Sequence, residues 1–369
     1  MQLNKLSLTC FRSWESLEID TNNKIIVFLG ENAAGKTNII EAINYISSFR
    51  SHRTAFDSDM VRTNEQSALI HCDFTTLSGR EYISASIDKS GKKYIKYNGT
   101  AVKRLYDVVG RLNTVIFSPD DIDIIDGAPE ERRRFIDIAI SKIDKTYFYS
   151  LQLYKKLLRQ RNKLLKMEGF NRESLKTLEA YDIQLSLAGA AIIGKRVRYV
   201  NMLSNRIGEI ASTLSEGNDK CSITYKGDIE PLKSEDEMRG RLLKMYEDSR
   251  ERDIRERNTS HGPHRDEYVF NINTMSAKKF SSQGQKRTFV LSMIFAQTEI
   301  ATEETGEEPI LILDDVMSEL DAKRQSALMQ YIKRSQTFIT ATDLFTPIWG
   351  RDADCVIYKV EKGKIRKCE

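Results

Sequence analysis

The chain has 369 residues, of which 40% are hydrophobic and 30% charged, and its net charge is +4. That length is too great for one small core and predicts two lobes, or one lobe with a large insertion. The longest apolar runs are strand-sized and the first residues form no export signal, so we expect a cytoplasmic protein without a membrane anchor. Five scattered cysteines without a C-x-x-C pair favour reduced thiols over a zinc site.

The first 120 residues alternate short β-type runs with turns, and they predict strands at 2–9, 24–29, 68–75, 81–87, 93–97 and 113–117. From residue 129 the apolar period becomes helical. One apolar stripe covers 147–165 and a second covers 178–214, so we expect two antiparallel helices of roughly 30 residues each. A charge-dense helix is predicted at 234–257.

From Asp266 the β pattern resumes. It predicts a strand at 267–273, a helix at 284–299 and strands at 310–313, 336–340 and 355–360. The economical architecture is an α/β fold whose sheet is interrupted by a helical insertion. Residues 1–125 plus 262–369 would form the sheet-containing lobe, and 126–261 an inserted helical lobe with an antiparallel helix hairpin.

Residues 30–37 read G-x-x-x-x-G-K-T between the apolar strand at 24–29 and a predicted helix. Glycines let such a loop point backbone N–H groups at phosphate oxygens, and the helix N-terminus adds its positive dipole end. Lys36 then reaches the β- and γ-phosphates, and Thr37 offers its hydroxyl to Mg²⁺. A turn that binds nothing is the plain alternative, but strand, loop and helix together predict a nucleoside triphosphate site.

Two adjacent carboxylates follow the apolar run at 310–313. A buried strand would deliver Asp314 to the C-terminal edge of the sheet, where open α/β sheets bind ligands, and there it can orient Mg²⁺. Asp315 is then placed to polarise the water that attacks the γ-phosphate. Because strands often end in acidic turns, this interpretation depends on the phosphate loop.

Ser282 precedes a predicted helix whose apolar positions include Phe289 and Phe295. Its hydroxyl can cap that helix, and exposed N–H groups there form a second anion site. Taken alone, the segment favours an ordinary serine cap.

Positive charge is concentrated in the middle of the chain. Residues 151–210 hold 12 Lys and Arg against 5 Asp and Glu, a net charge of +7, so the remainder is slightly acidic. Basic side chains without matching acids favour a phosphate backbone, although a charged stretch is often only solvated helix surface. The candidate DNA-binding residues are Arg132, Arg133, Lys155, Lys156, Arg159, Arg161 and Lys163.

His261 and His264 are spaced H-x-x-H without cysteine partners or a suitably placed carboxylate. We therefore expect a structural turn instead of a metal site. The neighbouring Arg265 is expected to support a domain junction, with nucleotide sensing as the alternative.

Three motifs together resemble the set of ABC-type ATPases: the phosphate loop, the S-x-G-Q helix start at 282–285, and Leu-Asp-Asp-x-x-Ser-Glu-Leu-Asp at 313–321. Further segments, in order along nearly the whole chain, are similar to the RecF family of bacterial recombination mediators, which is related to Rad50 and SMC heads. These segments lie at 11–14, 35–43, 51–53, 117–121, 131–137, 262–266, 282–285 and 314–321. The resemblance implies a Rad50- or SMC-head-like P-loop ATPase lobe around the helical insertion.

The resemblance also implies residue roles. Lys36, Asp314 and Asp315 would serve ATP hydrolysis, with Mg²⁺ held at Thr37 and Asp314. The ATP-binding set would be Gly30, Glu31, Asn32, Ala33, Ala34, Gly35, Lys36, Thr37 and Asn38, with Arg12 and Trp14 on an N-terminal loop that approaches the nucleotide.

A second copy of the chain would complete each ATP site. Its signature segment would bind the γ-phosphate, and its D-loop aspartate would lie across the same interface; the matching residues are Ser282, Gln283, Gly284, Gln285 and Asp321. One phosphate loop and one signature per chain imply a two-fold homodimer enclosing two ATP molecules.

The chain departs from the ABC pattern at three places. Thr342 and Asp343 stand where a switch histidine is expected, and a threonine cannot accept a proton as imidazole does. Residues 118–121 occupy the Q-loop place without a glutamine, and the carboxylate pair is Asp-Asp instead of Asp-Glu. These departures predict slow, DNA-modulated ATP hydrolysis that serves as a switch.

The predicted function is ATP-gated binding of double-stranded or gapped DNA that assists loading of the recombinase RecA. The resemblance suggests RecR as a partner and RecO less directly. One alternative is the nucleotide-binding subunit of an ABC transporter, disfavoured by the basic insertion within the 246 positions that separate Lys36 from Ser282. The other is an SMC- or Rad50-like tether, which would need a far longer coiled coil.

Overall fold

The computed structural model describes residues 1–229, 234–317, 320–342 and 354–368. The strands are β1 (Gln2–Phe11), β2 (Trp14–Asp20), β3 (Ile25–Leu29), β4 (Ser67–Thr76), β5 (Gly79–Asp88), β6 (Lys93–Tyr97), β7 (Thr100–Ala101), β8 (Thr114–Phe117), β9 (Cys221–Lys226), β10 (Glu267–Ile272), β11 (Met275–Ser276), β12 (Ile310–Asp314), β13 (Thr337–Ala341), β14 (Cys355–Glu361) and β15 (Lys364–Lys367). The helices are α1 (Lys36–Ser48), α2 (Asp123–Asp126), α3 (Pro129–Ile143), α4 (Lys145–Leu165), α5 (Arg172–Leu214), α6 (Glu235–Glu256), α7 (Ala277–Phe280), α8 (Gln283–Thr305) and α9 (Ala322–Ile332). Within these ranges no helix is both long and apolar enough to span a membrane.

The chain divides into two compact units. The first comprises Met1–Ile122, Ile210–Asn218 and Arg287–Glu369, and the second comprises Asp123–Glu209 and Asp219–Lys286. The first junction lies near the predicted one. The second differs from it, because residues 262–286 belong to the second unit, where β10 pairs with β9.

A six-stranded sheet in the first unit has the order β15-β14-β3-β13-β12-β8. All its strands are parallel except β15, which pairs antiparallel with β14. The central strands β3, β12 and β13 are short and nearly uniformly apolar, as expected of strands covered on both faces. Because they are parallel, the chain leaves β3, β8, β12 and β13 at the same edge, and this edge carries the candidate site.

The second sheet of this unit is antiparallel, with the order β2-β1-β4-β5-β6-β7. Its strands alternate buried and accessible residues, so that Leu6, Cys72 and Ile83 are cross-strand neighbours on the buried face. Such alternation indicates one face against the core and one toward solvent. Strand β2 was absent from the sequence prediction.

In the second unit, α4 and α5 form the predicted antiparallel hairpin. Lys195 of α5 pairs with Asp144 at the start of α4, while Arg161 near the end of α4 lies 2.8 Å from Asp182. The fold prediction is thereby confirmed, but the lengths differ from it: α4 has 21 residues and α5 has 43. A three-stranded sheet, β11-β10-β9, belongs to the same unit.

Candidate functional site

The loop between β3 and α1 has a backbone that needs small residues. Gly35 has φ +107° and Ala33 has φ +64°, both in the left-handed region that L side chains rarely adopt. A Cβ at Gly30 would lie 2.3 Å from the carbonyl oxygen of Val360 in β14. The glycines at both ends of the motif are thus required by conformation and by close packing, and α1 begins directly at Lys36.

The Lys36 ammonium folds back onto its own loop. Its Nζ donates to the carbonyl oxygens of Gly30 at 2.5 Å and Glu31 at 3.0 Å. Burial lowers the pKa of Lys36, while the nearby carboxylates of Asp315 and Asp314 act in the opposite direction. The cation therefore lies beside both predicted acidic residues and is held by acceptors that a phosphate group can replace.

Asp314 and Thr37 meet at the carboxyl edge of the parallel sheet. The Thr37 hydroxyl donates to Asp314 Oδ1 at 3.1 Å, and Thr340 at the end of β13 donates to the same oxygen at 2.7 Å. Burial raises the pKa of Asp314. Hydroxyl and carboxylate oxygens are the ligands that Mg²⁺ prefers, so this pair fits the predicted magnesium position.

Asp315 follows β12 with a strained backbone, φ +50°. Its N–H donates to Thr340 Oγ1 at 2.9 Å, which fixes the turn that carries the second carboxylate. Non-glycine residues at positive φ are uncommon, and such strain is concentrated at functional sites. The catalytic role of Asp315 stays a prediction.

Residues 118–121, which occupy the Q-loop place, follow β8 next to β12 in the sheet. The Ser118 N–H donates to Asp121 Oδ2 at 2.6 Å. Burial raises the pKa of Asp121 to about 7, with a further contribution from Asp120 and Asp314. A third carboxyl group therefore stands close to the Asp314 edge. Thr342 follows β13 and is half-buried, whereas Asp343 lies outside the described residues.

Trp14 and Arg12 lie behind the loop. The Trp14 indole is fully buried, and its Nε1 donates to the Gly35 carbonyl oxygen at 3.2 Å. Arg12 is bidentate to Glu41 of α1, at 2.7 and 2.9 Å, and also donates to the Asp59 carbonyl oxygen at 2.8 Å. These contacts favour a supporting role for both residues, instead of the nucleotide contact that the resemblance implied.

Arg53 is a residue that sequence reasoning left without a role. Its guanidinium donates to Asn38 Oδ1 at 2.9 Å and to Glu41 Oε2 at 3.3 Å, and its positive charge acts to lower the pKa of Asp314. It therefore adds a cation to the first turn of α1, close to the candidate magnesium position. The only sequence signal was its place in the 51–53 segment.

The signature segment begins α8 in the second unit. The Ser282 N–H donates to Gln285 Oε1 at 3.0 Å, while the Gln285 N–H donates to Ser282 Oγ at 3.2 Å. This reciprocal pair is a capping box, and it leaves Ser282 and Gln283 exposed. Gln285 is tied further to Asp219 Oδ1 at 2.8 Å, and Gly284 completes the first turn.

Asp321 caps α9, because its Oδ1 accepts from the Arg324 N–H at 2.9 Å and its carboxylate pairs with the Arg324 side chain. The Asp321 side chain is half exposed. Ser318 and Glu319 of the same motif lie outside the described residues.

Two predicted DNA contacts are wrong. Arg161 is fully buried, with its guanidinium 2.8 Å from Asp182 and 2.7 Å from Asp253. Arg132 is 7% exposed and bidentate to Glu267, at 2.7 and 3.0 Å. Both arginines stabilise the fold of the second unit, because a buried charge requires a partner.

The remaining basic candidates are more accessible. Lys156, Arg159 and Lys163 are exposed on one face of α4, a helix that contains no acidic residue. Lys155 is half-buried and 3.6 Å from Asp137, and Arg133 donates to the Asp266 carbonyl oxygen at 2.7 Å. The exposed face of α4 is therefore the clearest candidate for a phosphate backbone.

His261 and His264 take part in hydrogen bonds within the second unit. His264 Nδ1 lies 2.8 Å from the Tyr154 hydroxyl, and burial lowers the pKa of His264 to about 4. His261 lies 3.2 Å from Asp228. Arg265 is exposed and donates to the Thr259 carbonyl oxygen at 3.5 Å. Over the described residues, no group of three His, Cys, Asp or Glu could hold a metal ion.

Fold and site together define an ABC-type P-loop ATPase fold, in which a parallel sheet brings the phosphate loop and an acidic pair to one edge. The profile of the RecF/RecN/SMC N-terminal domain matches residues 2–346. Two solved structures, described as the recombination mediator protein RecF with ATP and with ATPrS in the RecFOR pathway, give TM-scores of 0.91 and 0.88. Each is 33% identical to this chain, with all of this chain and 98% of the other covered.

Relatives found by sequence similarity point to the same family. The DNA replication and repair protein RecF of Clostridium perfringens (strain SM101) is 38% identical over 366 residues, which is 99% of this chain and all of that protein. The protein of the same description from Clostridium acetobutylicum is 36% identical over 365 residues. The Smc head domain of Pyrococcus furiosus, at 17% identity and a TM-score of 0.56, shares the fold. The chain belongs to the RecF family.

Proposed function

We propose that this chain is an ATP-dependent DNA-binding protein of recombinational repair. Its relatives are DNA replication and repair proteins, and similar structures are described with ATP. The observation that carries the proposal is the convergence of the Thr37 hydroxyl and the Asp314 carboxylate, 3.1 Å apart, beside the Lys36 loop. A ligand at this edge meets a cation, the N-terminus of α1 and two oxygen donors for Mg²⁺.

Each residue has a task when Mg²⁺-ATP binds. Lys36 exchanges the Gly30 and Glu31 carbonyl oxygens for phosphate oxygens, and Thr37 and Asp314 are the residues that would hold Mg²⁺, directly or through water. When bound there, the metal would supply positive charge against the phosphates. Asp315 orients the attacking water. Because no histidine follows β13, hydrolysis is slow and acts as a switch.

A second copy of the chain completes each site. Ser282, Gln283 and Gly284 are accessible at the start of α8, where N–H groups and the helix dipole attract the γ-phosphate of a neighbouring subunit. Asp321, half exposed, lies across the same two-fold interface. ATP thereby holds two subunits together, and hydrolysis releases them.

DNA binds the exposed basic face of α4. Lys156, Arg159 and Lys163 follow one another at spacings of three and four, which places them on one line along the helix. The dimer binds double-stranded or gapped DNA and assists loading of RecA, with RecR as the direct partner and RecO as an indirect one. The RecFOR description of the similar structures supports these partners.

Lys36→Met tests the nucleotide site. The variant loses the cation that faces the phosphates, so we expect no measurable ATP binding by isothermal titration and no ATP-induced dimer by sedimentation. Lys364→Met, which removes an exposed lysine of β15, is the matched control and should behave as wild type. ATP-dependent dimers of Lys36→Met would overturn the mechanism.

Asp315→Asn separates binding from hydrolysis. The amide cannot polarise water but leaves the Thr37–Asp314 pair intact, so we expect retained ATP binding and a dimer that outlasts the wild-type dimer after ATP is added. Sedimentation followed over time measures its lifetime. A variant that binds ATP but stays monomeric would contradict the role of Asp315.

A further inference from the structure

A second basic surface lies at the β6–β7 edge of the antiparallel sheet in the first unit. Residues 89–106 contain six Lys and Arg and no Asp or Glu. Lys89, Lys92, Lys96 and Lys103 are exposed. Lys93 instead turns inward, 2.6 Å from Asp57 and 2.7 Å from the Phe49 carbonyl oxygen. We call Lys89, Lys92, Tyr94 and Lys96 the hairpin patch.

An aromatic ring lies among these lysines on the solvent side of the sheet. Tyr94 and Lys96 alternate with the buried Ile95, and their cross-strand neighbours in β5 are Ser86 and Ser84. The Tyr94 side chain is 54% exposed, and Lys92 Nζ lies 4.9 Å from its ring centroid. An exposed tyrosine flanked by ammonium groups is a surface for a ligand that has both negative charge and planar rings.

The antiparallel sheet carries acidic residues at its β2 edge and exposed lysines at its β6–β7 edge. Glu18 and Asp20 project from β2, where Lys5 lies 2.7 Å from Glu18. At the hairpin edge, Asp88 in the turn already accepts from the N–H groups of Ser90 and Lys92, and Asp57 is paired with the inward-turned Lys93. A polyanion is therefore attracted at β6–β7 and repelled at β2.

We propose that the hairpin patch binds single-stranded DNA, with phosphates on the lysines and an unpaired base stacked on Tyr94. A duplex offers the same phosphates but no free base face to the tyrosine, so the aromatic ring favours the single strand. The inference rests on the proposed DNA-binding function but assigns residues apart from those of α4.

Titrations of labelled oligo-dT and of a labelled duplex test this assignment. Tyr94→Ala should weaken oligo-dT binding about tenfold and leave the duplex unchanged, whereas Tyr94→Phe should bind both as wild type. Lys92→Ala and Lys96→Ala should each flatten the dependence of log K on log salt for oligo-dT by about 0.7. Lys5→Ala, on the same face of the same sheet beside the acidic edge, is the control and should change neither.

The outcomes distinguish the two proposals. Unchanged oligo-dT affinity in Tyr94→Ala and Lys96→Ala, with wild-type protein still binding DNA, would overturn the hairpin patch alone. Equal losses for oligo-dT and duplex would overturn its preference for the single strand. A wild-type protein that binds neither probe would overturn the proposed DNA binding as well. Because Tyr94 is exposed, all variants should unfold at the wild-type temperature.

Discussion

Glu41 shows how one buried residue supports the nucleotide site. It lies in α1 with no side-chain exposure and accepts hydrogen bonds from Arg12, from Ser51 at 2.5 Å and from Arg53. Burial opposes its ionisation, but these donors outweigh burial and hold the pKa of Glu41 below its ordinary value. The carboxylate thus joins the Arg12 loop, α1 and the 51–53 segment around the phosphate loop.

Glu41→Gln should destabilise the protein by about 3 kcal/mol near neutral pH, because the variant leaves Arg12 without its charge partner. A depressed carboxyl pKa stabilises the fold above the unfolded pKa, and this contribution is lost as pH falls through the folded pKa. The difference between wild type and variant should therefore shrink below about pH 4.5. Thermal unfolding at several pH values measures this difference.

Glu15→Gln is the matched control for that series, because Glu15 is exposed and 3.3 Å from the partly exposed Arg62. We expect a change within about 0.5 kcal/mol at every pH. A Glu41→Gln deficit that stayed constant down to acid pH would contradict the ionised carboxylate inferred here.

Arg161 and Lys163 show what the sequence could not reveal about the site. Both are basic residues of α4, two positions apart, and composition placed both on a DNA-binding surface. Arg161 is buried with its partners Asp182 and Asp253. Because these partners lie 21 and 92 positions away along the chain, the charge of Arg161 alone does not indicate that its face of the helix meets them. The contact of Trp14 with Gly35 likewise spans 21 positions and has no signal in the sequence.

At the scale of elements, the central parallel strands β3 and β12 were predictable because each is a short apolar run next to a recognisable motif. Strand β2 pairs with β1 through a two-residue turn in which Arg12 has φ +52°. Because this turn contains no glycine, the sequence does not indicate a hairpin there, and β2 was missed. Strand β9 was missed because its partner β10 lies more than 40 positions away. The helix hairpin was predicted from its apolar period, but the period does not set where a helix ends.

The buried ion cluster should dominate the stability of the helix hairpin. Arg161 contacts Asp182 and Asp253 at zero side-chain exposure, and it also donates to Thr259 Oγ1 at 2.9 Å. Arg161→Met would leave the buried Asp253 carboxylate without its cation and Asp182 with Arg250 alone, at 3.1 Å, so we expect a loss of about 3–5 kcal/mol. Lys163→Met, on the exposed face of the same helix, should cost less than about 0.5 kcal/mol. Thermal unfolding of both variants measures the contrast, and equal effects would contradict the burial of Arg161.

At the scale of the whole molecule, the central expectation is that each ATP site is shared between two subunits. The phosphate loop and the signature segment lie in different units of one chain, and each has its own rigid local support: Trp14 and Glu41 behind the loop, and the Ser282–Gln285 capping box at the signature. A shared site predicts that two different defects can complement each other.

Lys36→Met and Ser282→Arg provide that test. Each variant alone should lack ATPase activity, because Lys36→Met binds no ATP and Ser282→Arg blocks the signature that must close on a neighbour's ATP. In an equimolar mixture, a mixed dimer pairs the intact loop of one subunit with the intact signature of the other and so contains one complete site. ATPase activity should therefore return on mixing, although below the wild-type level because each mixed dimer has one complete site instead of two. Sites formed within a single chain would give no recovery at any ratio, since neither variant contains a complete set, and that result would exclude the shared site.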